Sequence, residues 1–306
     1  MGETVMDILF REEAGKNSFQ PFSATPGGSS FNSIVSIGRA GMKCAFIGYT
    51  GDDSIGHQTL DFLRHNNVRT DYFLLYNGMK SSLALAFLDK KGDAEYSFYK
   101  DVPHTQDNWP LPDFNASDAL LFGSYYAICA GMRKQVEGVV LRAHEAGATV
   151  YYDINFRRSH KEELEALLPA IRWNMEHSDI VRGSADDFDI MCGTRDAGHI
   201  YNNFILPYCN SFIYTAGAGH VVIFSDGKRF DFNADMIPVE KIVSTVGAGD
   251  NFNAGFLCEF MRSGLNNGNI RQLTASHWSD LVRTAIHFAS AVCQSPENNI
   301  PAGFKY

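Results

Sequence analysis

From residue 30 onward, short apolar runs alternate with stretches in which apolar residues recur every three or four positions. Short apolar runs bounded by turn signals predict buried strands, and a 3.6-residue period predicts helices laid on them. The alternation therefore predicts a mainly parallel sheet covered by helices on both faces. Phe31, Ile34, Val35 and Gly38 share one helical face that Gly41 can terminate, and a strand over 44–48 follows. The pattern repeats as a strand over 119–122, a helix over 133–146 stopped by Gly147, and a strand over 149–153. A helix from Lys161 then buries Leu164, Leu167, Leu168 and Ile171.

Residues 71–100 depart from this rhythm. The runs 72–76, 83–88 and 95–99 are strand-like, and a turn at Lys90, Lys91, Gly92 and Asp93 joins the last two. Three strands without intervening helices predict a small antiparallel β flap over about 71–100. A further hairpin is expected over 221–232 around Asp226 and Gly227. Two helices near the end use Phe252, Phe256 and Phe260, then Trp278, Leu281, Val282 and Ala285. Without repeats or low-complexity linkers, residues 1–306 read as one α/β domain.

Composition narrows the class. With 306 residues, 45% hydrophobic and 20% charged, the chain can bury a large core. A formal net charge of -9 argues against a general nucleic-acid binder, because phosphate backbones are held by clustered Lys and Arg. Cys44, Cys129, Cys192, Cys209, Cys258 and Cys293 are widely spaced with no metal-binding pattern, and read as thiols of a reducing compartment. The N-terminus lacks the basic segment and apolar run of a signal peptide, and the longest uncharged stretch, 119–132, is too short to span a bilayer. A cytoplasmic protein without membrane partners is expected.

The chemistry concentrates in 244–256, where Gly247, Ala248 and Gly249 form a small turn leading into a helical pattern that begins with Asp250. A helix's first turn offers free N–H groups and a positive dipole end, so these three residues can hold a phosphate. Asp250 beside such an anion hole repels a phosphate, but makes sense as the acceptor of a proton from a hydroxyl attacking that phosphate. On residues alone, a plain helix cap explains the same segment.

The segment resembles the Asp-Thr-x-Gly-Ala-Gly-Asp signature of the ribokinase-like, or PfkB, carbohydrate kinases, closest to fructokinases and 2-keto-3-deoxygluconate kinases. Gly27-Gly28-Ser29-Ser30-Phe31-Asn32 resembles the family's Gly-Gly-x-x-x-Asn, and Gly51-Asp52-Asp53-Ser54-Ile55-Gly56 its Gly-x-Asp-x-x-Gly. Phe122-Gly123-Ser124, Asp153-Ile154-Asn155-Phe156-Arg157 and Thr215-Ala216-Gly217 follow in the family's order. The resemblance covers nearly the whole chain. It implies a three-layer α/β/α sandwich, with a mainly parallel central sheet and a β lid built from about 71–100 and residues near 10–24.

It also implies the chemistry: Mg-ATP donates its γ-phosphoryl group to a hydroxyl of a small sugar, fructose or a related keto-sugar or sugar acid. Asp250 would be the general base, and Gly247, Ala248 and Gly249 the anion hole. Asp7, Gly28, Asn32 and Arg157 match sugar-binding positions, and Asn155, Thr215 and Gly217 match nucleotide-side positions. Asp187 stands where the family's Asn-x-x-Glu places a carboxylate that reaches magnesium through water; here that motif is Ser184-Ala185-Asp186-Asp187. Tyr96, Phe98 and Tyr99 of the flap could cover a sugar. Ser244 and Val246 replace the usual Asp and Thr beside a monovalent-cation site, which argues against potassium activation. Little of the family's first strand precedes Gly2-Glu3. A nucleoside kinase of the same fold and a sugar- or nucleotide-binding module without turnover are the alternatives, and a homodimer through the lid is an arrangement the resemblance allows.

Overall fold

The computed structural model describes residues 1–12, 19–88, 94–102, 109–217, 219–233 and 237–306. Twelve strands are found among them: β1 Val5–Glu12, β2 Phe19–Gly27, β3 Cys44–Gly51, β4 Val68–Tyr76, β5 Leu83–Leu88, β6 Ala94–Tyr99, β7 Ala119–Gly123, β8 Thr149–Asp153, β9 Ile180–Ser184, β10 Ser211–Ala216, β11 His220–Ser225 and β12 Lys228–Asn233. The α-helices are α1 Ser29–Arg39, α2 Ser54–His65, α3 Arg133–Glu145, α4 Leu164–Glu176, α5 Ala185–Cys192, α6 Ala197–Ile200, α7 Ala248–Arg262 and α8 Ala275–Cys293. None of them is long and apolar enough to cross a membrane.

The main sheet runs β12-β11-β10-β9-β8-β7, parallel from β7 to β10 and antiparallel through the β11–β12 hairpin. Alternate residues of its strands enter two separate cores. Leu120, Tyr152, Phe212 and Val222 pack with Val136 and Val140 of α3, Ile171 of α4 and Phe188 of α5. Leu121, Tyr151, Ile213 and Ile223 pack with Phe252, Phe256 and Phe260 of α7 and Trp278, Leu281 and Phe288 of α8. A strand buried on both faces has no polar side, which is why β7, β8 and β10 read as short apolar runs. The three-layer α/β/α arrangement expected from the sequence is present.

The hairpin at Asp226 and Gly227 is also present. Ser225 pairs with Lys228, leaving a two-residue turn in which both residues have positive φ, 50° and 73°. Gly41 follows α1 with φ 81°, and Gly147 follows α3 with φ 74°. The helix expected from Lys161 begins three residues later: Arg158–Glu163 forms a tighter 3₁₀ turn, and α4 starts at Leu164. Leu167 and Ile171 are its buried anchors, while Leu164 packs only at the margin.

The flap differs from expectation in two respects. The run 72–76 belongs to β4, which pairs in parallel with β3 rather than with the flap. The flap itself is a four-stranded sheet of order β2-β1-β5-β6, in which β1 and β5 are parallel, so it is mixed rather than antiparallel. Half of it comes from residues 5–27, because β1 and β2 fold back on each other before α1. The turn at Lys90 to Asp93 lies outside the described residues, as does part of the contribution from 10–24.

Candidate active site

The site lies where the first turns of α1 and α7 meet. Gly247 precedes α7 in a left-handed conformation, φ 80°, and a Cβ there would come within 2.9 Å of the Asn298 carbonyl oxygen. Only glycine fits both demands. Asn251 fastens this turn: its side-chain amide donates to the carbonyls of Gly247 and Asn298, both at 2.8 Å, while its oxygen accepts from Ser36 of α1. The sequence thus folds Gly247, Ala248 and Gly249 into a fixed rim of backbone at a helix N-terminus.

Asp250 sits in that first turn, buried to 7% exposure. Ser29 Oγ donates to its Oδ1 at 2.7 Å, and Asn32 Nδ2 donates to its Oδ2 at 2.9 Å. Ser33 Oγ donates to its backbone oxygen at 2.8 Å, locking α1 to α7. Burial pushes the Asp250 carboxyl above the ordinary carboxylate range. The Asn32 and Ser29 hydrogen bonds and the more distant Arg157 cation oppose that rise, and the Asp153 charge adds to it.

Asp7, on β1, faces the same region. A Cβ on Gly27 would strike Asp7 Oδ2 at 2.3 Å, so the glycine pair before α1 makes room for this carboxylate. Gly28 has φ 123°, and a Cβ on it would meet the Glu3 carbonyl at 2.5 Å. Burial first, then the neighbouring Asp250 charge, raises the Asp7 pKa to about 6. The side-chain oxygen of Asn32 is buried without a hydrogen-bond partner, an acceptor available to a hydroxyl placed between Asp7 and Asp250. Asp7, Gly28, Asn32 and Asp250 are therefore brought together, with Arg157 exposed at the rim.

A second cluster lies at the ends of β8, β9 and β10. Arg182 of β9, buried to 7%, donates to Asp153 Oδ1 at 3.0 Å and to Thr215 Oγ1 at 2.9 Å. A Cβ on Gly249 would come within 3.1 Å of its guanidinium, so Arg182 links this cluster to the Gly247–Gly249 turn. Asn253 Nδ2 donates to Asp153 Oδ2 at 2.7 Å. Asn155 has a left-handed φ of 39° and donates to Ser124 Oγ at 2.8 Å. Gly217, φ 59°, turns the chain beyond β10, and a Cβ there would meet nothing within 4 Å.

Asp187 caps α5 together with Ser184. Ser184 N and Oγ donate to its Oδ2 at 2.6 and 2.8 Å, and Ser184 Oγ accepts from Asp187 N. Among the described residues, no group of three or more metal-ligating side chains is assembled. Ser244, in place of the usual Asp, accepts from Val246 N at 3.1 Å and so closes the loop before the glycine turn. Asp53 of the Gly-x-Asp-x-x-Gly stretch is an anchor rather than a ligand position. It caps α2 through Ile55 N and Gly56 N, and its two oxygens accept from Ser81 Oγ and Ser81 N. Phe98 and Tyr99 of the flap are 57% and 60% exposed.

Sequence reasoning missed Arg182, Ser29 and Asn253. Arg182 follows Ile180 and Val181 directly in β9, and a charge at a buried strand position demands a buried partner. Ser29 and Asn253 carried no such signal, because serines and asparagines near helix starts are common as caps.

Residues 1–302 match the family model described as pfkB family carbohydrate kinase. Among similar proteins, "Probable fructokinase-5" of Arabidopsis thaliana is 26% identical over 294 residues, covering 92% of this chain and 86% of that one. A fructokinase of Rhizobium leguminosarum bv. trifolii is 28% identical over 272 residues, covering 86% and 79%. Among solved structures, aminoimidazole riboside kinase from Salmonella enterica, complexed with aminoimidazole riboside and an ATP analog, superimposes with a TM-score of 0.76 at 22% identity, covering 96% of this chain and 92% of that one. Fructokinase from Vibrio cholerae O395, in its fructose-, ADP- and calcium-bound form, gives 0.77 at 19% identity, covering 97% and 92%. With 302 of its 306 residues matched by the family model, the chain belongs to the pfkB family of carbohydrate kinases, phosphotransferases whose acceptor is a sugar hydroxyl.

Proposed function

We propose that this sugar kinase transfers the γ-phosphoryl group of Mg-ATP to a hydroxyl of fructose or a related keto-sugar, with Asp250 as general base. The observation that carries the reading is a buried carboxylate, hydrogen-bonded by the neutral groups Ser29 and Asn32, beside the Gly247–Gly249 turn. In the transfer, the acceptor oxygen bonds to the γ-phosphorus as the bond to the β–γ bridging oxygen breaks. Asp250 takes the hydroxyl proton, and the amides of Gly247, Ala248 and Gly249 stabilise charge on the equatorial oxygens. A pKa raised by burial makes the carboxylate a better proton acceptor near neutrality.

Asp7, Gly28, Asn32 and Arg157 hold the sugar in this reading, and Asn155, Thr215 and Gly217 border the nucleotide. Asp187, whose Oδ2 accepts from Ser184, would contribute to holding Mg²⁺ through water, and the ion would supply charge neutralisation for the phosphates. Ser244, whose hydroxyl accepts from Val246 N in place of the usual carboxylate, argues against potassium activation. Residues 1–306 act as one catalytic unit, and the β1-β2-β5-β6 flap excludes water from the site and offers edges for a homodimer, which the mass in solution tests. The six unpaired cysteines support a reducing, cytoplasmic setting. The fructokinase relatives favour fructose; the likeness to a riboside kinase favours a nucleoside as the second reading. Mg²⁺- and ATP-dependent ADP release across fructose, 2-keto-3-deoxygluconate, ribose, tagatose and adenosine separates them, with Asp250→Asn as the blank. Release only with adenosine would displace fructose, and equal release from the variant would remove Asp250 from its role.

A further inference from the structure

The carboxyl ends of β8, β9 and β10 are bridged by one side chain. Asp153 stands opposite Arg182 in the pairing of β8 with β9, and Ile213 stands opposite it in β10. Arg182 Nη1 donates to Asp153 Oδ1 at 3.0 Å, and Nη2 donates to Thr215 Oγ1 at 2.9 Å. The guanidinium lies against the first turn of α7. Gly249 belongs to that turn and is not among the glycines with positive φ, so its missing side chain serves close approach rather than conformation. A Cβ on it would come within 3.1 Å of Nη2 and 3.2 Å of Nη1. A single nitrogen, Nη2, therefore separates the Thr215 hydroxyl from the glycine turn.

Stability alone does not account for this cation. A buried ion pair gains little over apolar residues of the same volume, because desolvation offsets its Coulombic attraction. Arg182 Nε is in addition buried without an acceptor, which adds to the cost. What the arrangement fixes is the polarity of Thr215. A threonine hydroxyl carries one proton and can both donate and accept, whereas a guanidinium only donates. Thr215 Oγ1 must accept from Arg182, and its own proton is turned elsewhere. Among the described residues, none accepts that proton. Two positions on, a Cβ at Gly217 would meet nothing within 4 Å, so the chain beyond Thr215 borders open space.

We infer, on the phosphate site proposed above, that Arg182 is a positioning residue for the nucleotide: it holds the Thr215 hydroxyl as a donor to a phosphate oxygen of a nucleoside triphosphate seated on the Gly247–Gly249 turn. Phosphate oxygens only accept, and the first-turn amides of α7 only donate, so a hydroxyl fixed as a donor completes a set of one kind. Without Arg182, the same hydroxyl is free to turn its proton inward to Asp153 and present a lone pair to the phosphate, which repels it. The effect belongs to the outer phosphates, because those are the groups that the glycine turn would hold.

The test is equilibrium binding of Mg-AMP-PNP, an uncleaved triphosphate, and of AMP to four forms of the full chain: the parent, Thr215→Val, the pair variant Arg182→Met with Asp153→Asn, and all three substitutions together. Removing both members of the ion pair leaves no uncompensated buried charge. Thr215→Val and the pair variant should each weaken Mg-AMP-PNP about tenfold, and the combined protein should be no weaker than either, because the residues act as one unit. AMP, which has no β- or γ-phosphate, should bind all four alike. Parental affinity for Mg-AMP-PNP in the pair variant overturns the inference, and so does a combined loss of about a hundredfold, which would make the two residues independent. Equal losses for AMP and Mg-AMP-PNP would reduce Arg182 to a part of the architecture. Arg182→Lys keeps a cation for Asp153 but gives up the second arm of the fork, so it decides the matter even if the pair variant does not fold: it should match Thr215→Val, and parental affinity would overturn the inference. No acceptor sugar is present, so the outcome does not depend on Asp250 as base. A parent that fails to bind Mg-AMP-PNP would remove the phosphate site and this role of Arg182 together.

Discussion

Asp250 and Asp153 are both deeply buried aspartates with both oxygens hydrogen-bonded, yet their partners differ in kind. Asp250 is held by a serine hydroxyl and an asparagine amide, neither of which carries charge. Asp153 is held by the Arg182 guanidinium and the Asn253 amide. Hydrogen-bond satisfaction therefore does not separate the proposed base from an architectural carboxylate; a direct ion pair does. A carboxylate facing neutral donors retains its appetite for a proton, and burial increases it, whereas an ion-paired carboxylate holds its partner in place. Asp250→Asn breaks the first half of this comparison most directly. ADP release should fall by about 10²- to 10⁴-fold, the usual worth of a positioned base, with Tm maintained. Near-parental turnover would leave Asp250 a helix cap.

Arg182→Met breaks the other half. It leaves Asp153 buried opposite an apolar chain, and one-sided removal from a buried pair costs about 3–5 kcal/mol. Urea unfolding of this variant should show that loss, and the double variant with Asp153→Asn should recover a good part of it, because no uncompensated charge remains. A double variant as unstable as Arg182→Met alone would mean that packing against Phe252 and Thr215, rather than charge, is what Arg182 provides.

Much of this contrast is legible in the order of the amino acids. The layer order follows from apolar runs and helical periods, because strands buried on both faces leave no polar alternation. Asp250 stands out through the glycine turn ahead of a helix. The flap is harder to read because its strands pair across the sequence: β1 lies beside β5 in parallel, and nothing in residues 72–76 distinguishes pairing with β3 from pairing with β5. The neutral cradle of Asp250 is equally hidden. Ser29 and Asp250 are 221 positions apart, and only the docking of α1 on α7 brings them within 2.7 Å.

Asp7 sharpens the comparison from a third environment, since it is buried close to Asp250. Its folded pKa of about 6 lies above the value near 3.9 of an unfolded aspartate. Between those values the native state binds more protons, so stability contributed at this site falls as pH rises through about 4 to 6, and the full cost is present above that window. Asp7→Asn should therefore be more stable than the parent at pH 7.5 by about 2 kcal/mol, with the difference shrinking toward pH 4.5. Urea unfolding at several pH values checks this, and a difference that stays constant with pH would assign it to packing.

Ser29→Ala is the smallest of these changes and asks how far the neutral cradle tunes Asp250. The Ser29 hydroxyl stabilises the charged carboxylate and so lowers its pKa against the upward pull of burial. A hydrogen bond of this kind is worth about 1 kcal/mol, somewhat less than one pH unit at 1.36 kcal/mol each. Its loss should move the acid limb of kcat/KM to higher pH by roughly half a unit to one unit. Turnover on the acid limb would then drop, while turnover on the alkaline plateau would hardly change, because the carboxylate is ionised in both proteins there. If Ser29 serves only to start α1, the variant should instead lose Tm and keep its pH profile in place. The two outcomes differ in sign and in readout, so a single set of rate measurements from pH 5.5 to 9 decides whether the serine belongs to the chemistry or to the helix.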